Sequence, residues 1–214
     1  MKTNVNNMGI NKVIRTLIAC DFLLQSGWGL IGPIFAIFLI SQIQYGSLPM
    51  VGLVVATYWI VKSLAQPFIA QYLDLKKGEY DDFQFLMVGL IIANLVPLGY
   101  VFATKISHIF LLEFIRALAM ACVIPSWAAM FTRHIDKGWE AFSWSIDSTM
   151  IGLAMGFSAA FGGIFVTIIG FQTVFALVSI MGLGSALSLL FIRKQISNKD
   201  RAATAQALKV EKTI

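Results

Sequence analysis

The sequence predicts an all-α membrane protein with six transmembrane helices, and three observations carry that prediction. The chain of 214 residues is 58% hydrophobic and only 13% charged, about half the charged fraction of an ordinary soluble domain. Residues 22–61, 83–104 and 148–192 contain no Asp, Glu, Lys or Arg, and a helix needs only about 20 apolar residues to cross the hydrocarbon of a bilayer. Turn-forming residues then cut the longest runs into membrane-sized pieces. Helices satisfy their own backbone hydrogen bonds in lipid. A barrel would instead repeat alternating segments of about ten residues, and the chain has none.

The first predicted span, residues 16–40, follows Arg15 and carries Ser26, Gly27, Gly29, Gly32 and Pro33, so its outer half can bend. The polar stretch Ser41, Gln42, Gln44, Tyr45, Gly46 and Ser47 ends it. Pro49 suits the first turn of the second span, 49–72. The third and fourth spans, 83–104 and 108–131, are divided by Lys105. The fifth, 142–169, reaches a turn at residues 170–172 short enough to make the sixth span, 173–192, its neighbour. Residues 1–15 read as a polar leading segment and 193–214 as a solvated tail. Fair helix formers at 202–208 also allow an interfacial helix or a linker there.

Lys and Arg accumulate on one side of this topology. The segments 1–15, 73–82, 132–138 and 193–214 hold 13 of the 16 basic residues, and the opposite side holds Lys105 alone. The positive-inside rule makes both termini cytoplasmic. The net charge of +5 is thereby a matter of topology and does not call for nucleic acid. The first span is too long for the core of a cleaved signal peptide. Cys20 and Cys122 lie within apolar runs and suggest neither a disulfide scaffold nor a metal cluster. No metal site or cofactor is expected. The chain has no HExxH, GxSxG, CxxC or phosphate-binding glycine loop, so an enzyme is not expected either.

Ionised groups within the spans single out the candidate site, because each costs at least ~2.5 kcal/mol at mid-bilayer on insertion scales. Asp21 is six residues beyond Arg15, or about 9 Å into the first span. Lys62 lies near the middle of the second. Glu113 and Arg116, three apart on the fourth, share a helix face and can pair. Asp147 lies about 12 Å beyond Trp139 in the fifth. Asp21 has no charged neighbour on its own helix within the bilayer, so it needs a proton or a partner from another helix. Opposite signs allow Lys62 and Asp147 to form an inter-helix salt bridge, either switchable or permanent. His108 and His134 flank the fourth span at opposite ends and read as interfacial residues.

Small residues and aromatics complete the pattern. Gly152, Gly156, Gly162 and Gly163 in the fifth span permit either close helix packing or hinge bending. Trp139 fits an interfacial belt. Trp28, Trp59 and Trp127 are deeper and can line a cavity or pack in the core.

On these residues the chain resembles one half of a major facilitator superfamily transporter, over about residues 10–195. The first span, with its deep Asp21, is similar to the opening helix of the amino-terminal half of drug and metabolite antiporters. The segment 111–125, built around Arg116, is similar to a family motif with a membrane-embedded Arg. The stretch Ala70 to Gly78 resembles the signature after the second helix: Asp74, Lys76 and Lys77 are present, and Ala70 stands where the family has Gly. The glycine motif of the fifth helix is matched only approximately, lacking a Pro after Gly156.

The resemblance implies six helices arranged as two inverted three-helix repeats, in a cell membrane of the bacterial inner-membrane type. It implies a functional pair, Asp21 with Arg116, and a gating loop in which Asp74 and Lys77 latch onto Arg133 and Glu140. Family members have two six-helix halves related by an axis along the membrane normal, so a second copy of this chain can supply the missing half without a change of topology. A fragment, or one subunit of a heteromeric pair, is the alternative. The implied function is proton-coupled exchange of a small amphipathic or charged solute by alternating access, with protons, the solute, membrane lipid and the second copy as partners. Aromatic walls favour a cationic solute, and the basic residues suit an organic anion equally well. A membrane structural or assembly protein is the rival reading, in which the buried charges form constant salt bridges; a channel would need a filter sequence, and none is evident.

Overall fold

A computed structural model describes residues 10–76 and 78–197 of the chain. The expectations placed on residues 1–9, on Lys77 and on 198–214 lie outside the described residues.

Helix α1 (Lys12–Ile31) begins where the side chain of Asn11 accepts a hydrogen bond from the Ile14 N–H at 3.0 Å, relieving one of the unpaired donors of the first turn. It runs until Gly32 and Pro33. There the chain bends by 43° into α2 (Phe35–Gln42). The bend expected in the outer half of the first span is therefore a true break. Helices α3 (Leu48–Lys76), α4 (Glu79–Phe102) and α5 (Ile106–His134) follow, each with one internal proline, Pro67, Pro97 and Pro125. Packed membrane helices accommodate such breaks because neighbouring groups re-satisfy the freed carbonyls. All three helices run past the predicted spans at one end, where α3 reaches Lys76, α4 begins at Glu79 and α5 reaches His134, and where Arg133 pairs with Asp82.

The last helix, α6 (Glu140–Ser188), has 49 residues and one non-helical position, Gly170, at φ 79° and ψ 165°. This backbone is open to glycine and strained for other residues. The chain reverses at this point. Before Gly170, neighbours of α1 rise with it: Asp147 lies near Asp21, Met155 and Ser158 press on Gly29, and Gly162 abuts Leu30. After Gly170 they fall: Val178 packs on Gly27, and Ser185 and Ser188 stand beside Cys20. The first arm is thus parallel to α1 and the second antiparallel. Helical structure continues to Ser197, five residues beyond the predicted sixth span, so the start of the expected solvated tail is helix.

Among the described residues, four helices are long and apolar enough to cross a membrane, or five with α1 and α2 taken as one broken span. The outward faces of α4 and of the chain after Gly170 carry Val88, Leu95, Ile180, Leu187 and Phe191, all exposed, which suits contact with lipid. At one end of the bundle Asn11 donates to the His134 carbonyl and Arg133 pairs with Asp82. At the other end the Gln44 N–H donates to the Thr104 carbonyl at 2.9 Å and the Ile106 N–H donates to the Gln44 carbonyl. Phe38 and Phe171, with ring centroids 5.6 Å apart, bring the Gly170 turn to that second end.

The interior is layered along the bundle axis. One apolar cluster joins Val13, Leu17, Leu24, Leu86, Leu90, Phe131 and Leu189, and the other joins Leu30, Phe38, Val96, Tyr100, Phe175 and Val178. Ser26, Asn94, Ser179 and Ser185 are buried between them. Asn94 Nδ2 donates to the Leu90 carbonyl at 2.8 Å and to the Gly182 carbonyl at 3.1 Å, pinning α4 to the second arm of α6.

Of the glycines expected to pack or hinge, Gly162 alone meets a neighbour: a Cβ there would stand 2.5 Å from the Leu30 carbonyl oxygen, whereas Gly152, Gly156 and Gly163 face open space. Gly162→Ala is therefore expected to lower the thermal unfolding midpoint in detergent, at a cost on the order of 1–3 kcal/mol. Gly163→Ala, one residue away, should leave it unchanged.

Candidate functional site

Two groups of buried charge lie inside the bundle, about two helical turns apart. The first is built by helical spacing on α3 and α5. Tyr58 and Lys62 share a face at i and i+4, and Glu113 and Arg116 share one at i and i+3. Glu113, only 1% exposed, receives Arg116 Nε at 3.1 Å on Oε1 and at 3.0 Å on Oε2, the Arg116 Nη2 on Oε2, and the Tyr100 hydroxyl on Oε1. Such a forked contact fixes the guanidinium plane as well as its position. Arg116 Cζ then stands 3.5 Å from the Tyr58 ring centroid and 4.4 Å from that of Trp28.

Lys62 completes this group in a different way. Its Nζ sits 3.7 Å from the Trp59 ring centroid and 5.2 Å from that of Tyr58. It is 7% exposed, and among the described residues it forms no ion pair. Tyr58 therefore carries two cations on one ring, while Glu113 is the one carboxylate bonded to either. Cation–π contacts supply about 0.5–2 kcal/mol each, against several for an uncompensated buried charge. The cluster keeps an excess of positive charge that its own residues do not neutralise. Trp59 is 55% exposed, so the group reaches the surface of α3.

The second group is acidic. Asp21 of α1 and Asp147 of the first arm of α6 lie close enough for the charge of Asp147 to act on Asp21. Asp147 is 4% exposed and its Oδ1 has no hydrogen-bond partner. Asp21 is half-buried, and neither carboxylate forms an ion pair among the described residues. Asp21, Gln25 and Trp28 fall at i, i+4 and i+7 on α1, so one stripe of that helix runs from the acidic pair to the cationic cluster, about 10 Å along the axis.

A third set ties the basic end of the bundle. The first turn of α4 holds Glu79, Asp81 and Asp82, and the last turn of α5 holds Arg133 and His134, the placement that complements both helix dipoles. Arg133 pairs with fully buried Asp82, and His134 Nδ1 lies 3.0 Å from Glu79 Oε1.

This geometry rearranges several expected partnerships. Arg116 is bonded to Glu113 and not to Asp21, since a residue three positions away on the same helix closes the contact first. Lys62 and Asp147 form no salt bridge among the described residues: Lys62 stacks on aromatic rings beside Arg116, and Asp147 lies within electrostatic range of Asp21. Trp28 and Trp59 flank the cations. Trp127 does not line the site, because it stacks on Phe131 at 4.6 Å and meets Trp144 edge-on in the apolar core. The latch is made by Asp82, with exposed Asp74 near enough to act on it, while Glu140 accepts the Gly138 N–H at 2.9 Å within its own loop. His134 Nδ1, at the same rim, lies 3.0 Å from the Met130 carbonyl and from Glu79 Oε1.

Sequence reasoning missed Tyr58, Tyr100, Asp82 and Glu79. The i, i+4 spacing of Tyr58 from Lys62 and the acidic first turn of α4 opposite a basic last turn were the available signals. Tyr100 had none, since its contact with Glu113 arises only where α4 and α5 meet.

A helical bundle with lipid-facing flanks and charged groups in its interior defines an integral membrane protein of the transporter class. The family described as the Major Facilitator Superfamily matches residues 17–213. The chain belongs to that superfamily, whose members are transporters and not enzymes, and its general function is secondary transport of a small molecule across a lipid membrane. No curated protein sequence matches it.

The latch makes a thermodynamic prediction. Removing Arg133 leaves the Asp82 charge buried without its partner, so Arg133→Ala and the double variant with Asp82→Ala should not behave additively. The expected coupling is about 1–3 kcal/mol, read from the unfolding midpoints of both single variants and the double variant in detergent.

Proposed function

We propose that this chain is a six-helix half-transporter that carries out proton-coupled exchange of a small charged or amphipathic solute by alternating access, working with a second copy of itself in a cell membrane, of the bacterial inner-membrane type. The observation that carries the coupling is the pair Asp21 and Asp147, two carboxylates within each other's field and without a counter-cation. Like charges in a poorly solvated site do not both ionise readily, so such a pair holds a proton or hands it over as its surroundings change.

The reversal at Gly170 supports six crossings, counting the bent α1–α2 pair as one span and the two arms of α6 as two. An inverted repeat is supported by the packing. Exchanging the first three spans with the last three turns the contact of α1 with the first arm of α6 into that of α5 with α3. The same exchange turns α1 with the second arm into α5 with α4, and returns α4 with the second arm to itself; packing of all these elements is present. The end holding Lys12, Arg15, Arg133 and Lys137 is the cytoplasmic one by the positive-inside rule, so both termini are cytoplasmic. The second copy meets this one on the open faces of α3 and the first arm of α6. There Gly52, Gly152, Gly156 and Gly163 have no neighbour, as close helix contact between subunits requires.

In this mechanism the two bundles rock about a shared cavity, and Asp21 changes protonation as the cavity changes sides. Arg116, held by Glu113, and Lys62 face the solute. Purified protein in lipid vesicles with an imposed proton gradient tests this. Asp21→Asn, inserted and folded, should lose gradient-driven exchange and flatten its pH dependence; a variant with wild-type rate and pH profile would remove Asp21 from the mechanism. Assembly has a separate check. Gly156→Trp should keep the fold of the monomer and abolish both the dimer, measured by mass in a bilayer, and transport. A fully active monomer overturns the shared cavity.

A further inference from the structure

We propose that Lys62 and Arg116 form the binding site for an organic anion, a small carboxylate or comparable oxyanion with an apolar or aromatic body, and not for a cation. This deepens the transport reading and rests on it for what the site is used for, although binding can be tested without transport.

The argument is one of occupancy and charge. An aromatic cage recruits a cationic ligand by offering free ring faces. Here the protein's own cations already stand against each of these rings: Arg116 is over Tyr58 and Trp28, and Lys62 is over Trp59 and Tyr58. The carboxylate a cationic ligand would seek, Glu113, is bonded to Arg116 and Tyr100. A cationic solute entering this space meets two like charges and no free acceptor.

An oxyanion meets the complementary situation. The ammonium of Lys62 has three N–H donors on a residue that is 7% exposed, and it has neither an acidic partner nor a hydrogen bond among the described residues. Arg116 is locked in orientation by Glu113, so little conformational freedom is lost when a ligand docks beside it. One negative charge delivered between the two balances the excess left after Glu113 is counted. The ring of Trp59, more than half exposed, offers an apolar surface for the body of such a ligand at the mouth of the site.

Substrate sign also distinguishes this group from the acidic pair. The two sites lie on one stripe of α1 with opposite charge, so the proton and the anion have separate seats. Loss of one does not remove the other.

The test uses the purified full chain in detergent, with tryptophan fluorescence as readout because Trp28 and Trp59 stand against the two cations. Phenylacetate and hexanoate are titrated beside their cationic counterparts phenethylamine and hexylamine. The expected result is saturable quenching by the anions and none by the amines. Lys62→Gln should weaken anion binding by at least about tenfold, and Lys62→Arg should largely restore it. Circular dichroism verifies that each variant is folded. Quenching by the amines at equal or lower concentration overturns the proposal, as does an absence of saturable anion quenching or an anion affinity unaltered in Lys62→Gln. Vesicle flux is scored separately: anion binding without flux leaves the site standing and sinks the transport reading, and flux of amines alone sinks the site.

Discussion

Ionised groups inside a bilayer cost several kcal/mol unless they are paired, bonded or shielded from hydrocarbon, and five of them, Asp21, Lys62, Glu113, Arg116 and Asp147, lie within the predicted apolar spans of this chain. The way each cost is met organises the molecule. Glu113 and Arg116 meet it locally, on one helix, through a forked contact reinforced by Tyr100. Lys62 meets it partially, on the faces of Tyr58 and Trp59. Asp21 and Asp147, within electrostatic range of each other, have no ion pair among the described residues. Compensation thus falls from Glu113 and Arg116, through Lys62, to Asp21 and Asp147.

The same constraint explains the packing around the site. A polar belt of Ser26, Asn94, Ser179 and Ser185 crosses the bundle between two apolar clusters, and Asn94 spends both hydrogen bonds of its amide group on backbone carbonyls. The charged groups stand on α1, α3, α5 and the first arm of α6. The end-to-end ties are of another kind. Asp82 with Arg133 and Glu79 with His134 clamp α4 to α5 at the basic rim, and the Gln44 backbone clamps the opposite rim. Both rims are held while the interior keeps charge in reserve, an arrangement suited to a rigid bundle that moves as a body against a second one.

The fold was largely legible in the chain. Charge-free runs and turn residues located the helices because the membrane imposes a length and a polarity on every crossing. The break at Gly32 and Pro33 and the turn near Gly170 could be read for the same reason, since few residues tolerate those backbones. Helix ends were less legible: α3, α4 and α5 pass beyond their apolar spans, and hydropathy has no information about helical backbone outside the hydrocarbon. The candidate residues were legible one by one, as charges in the wrong solvent.

Their partnerships were not. Sequence spacing can pair Glu113 with Arg116, which share a helix, but the meeting of Asp21 with Asp147 depends on the first arm of α6 lying parallel to α1. The stacking of Lys62 near Arg116 depends on the packing of α3 against α5. Trp127 and Trp59 look alike in sequence, and one is sealed in the core while the other is at the surface. By itself the sequence determined that this is a helical membrane protein with costly charge in its interior, because solvent polarity acts on each residue type separately. The tertiary structure decided which charges cancel and which remain, because electrostatic compensation is a property of pairs, and pairs across helices exist only once the helices have packed.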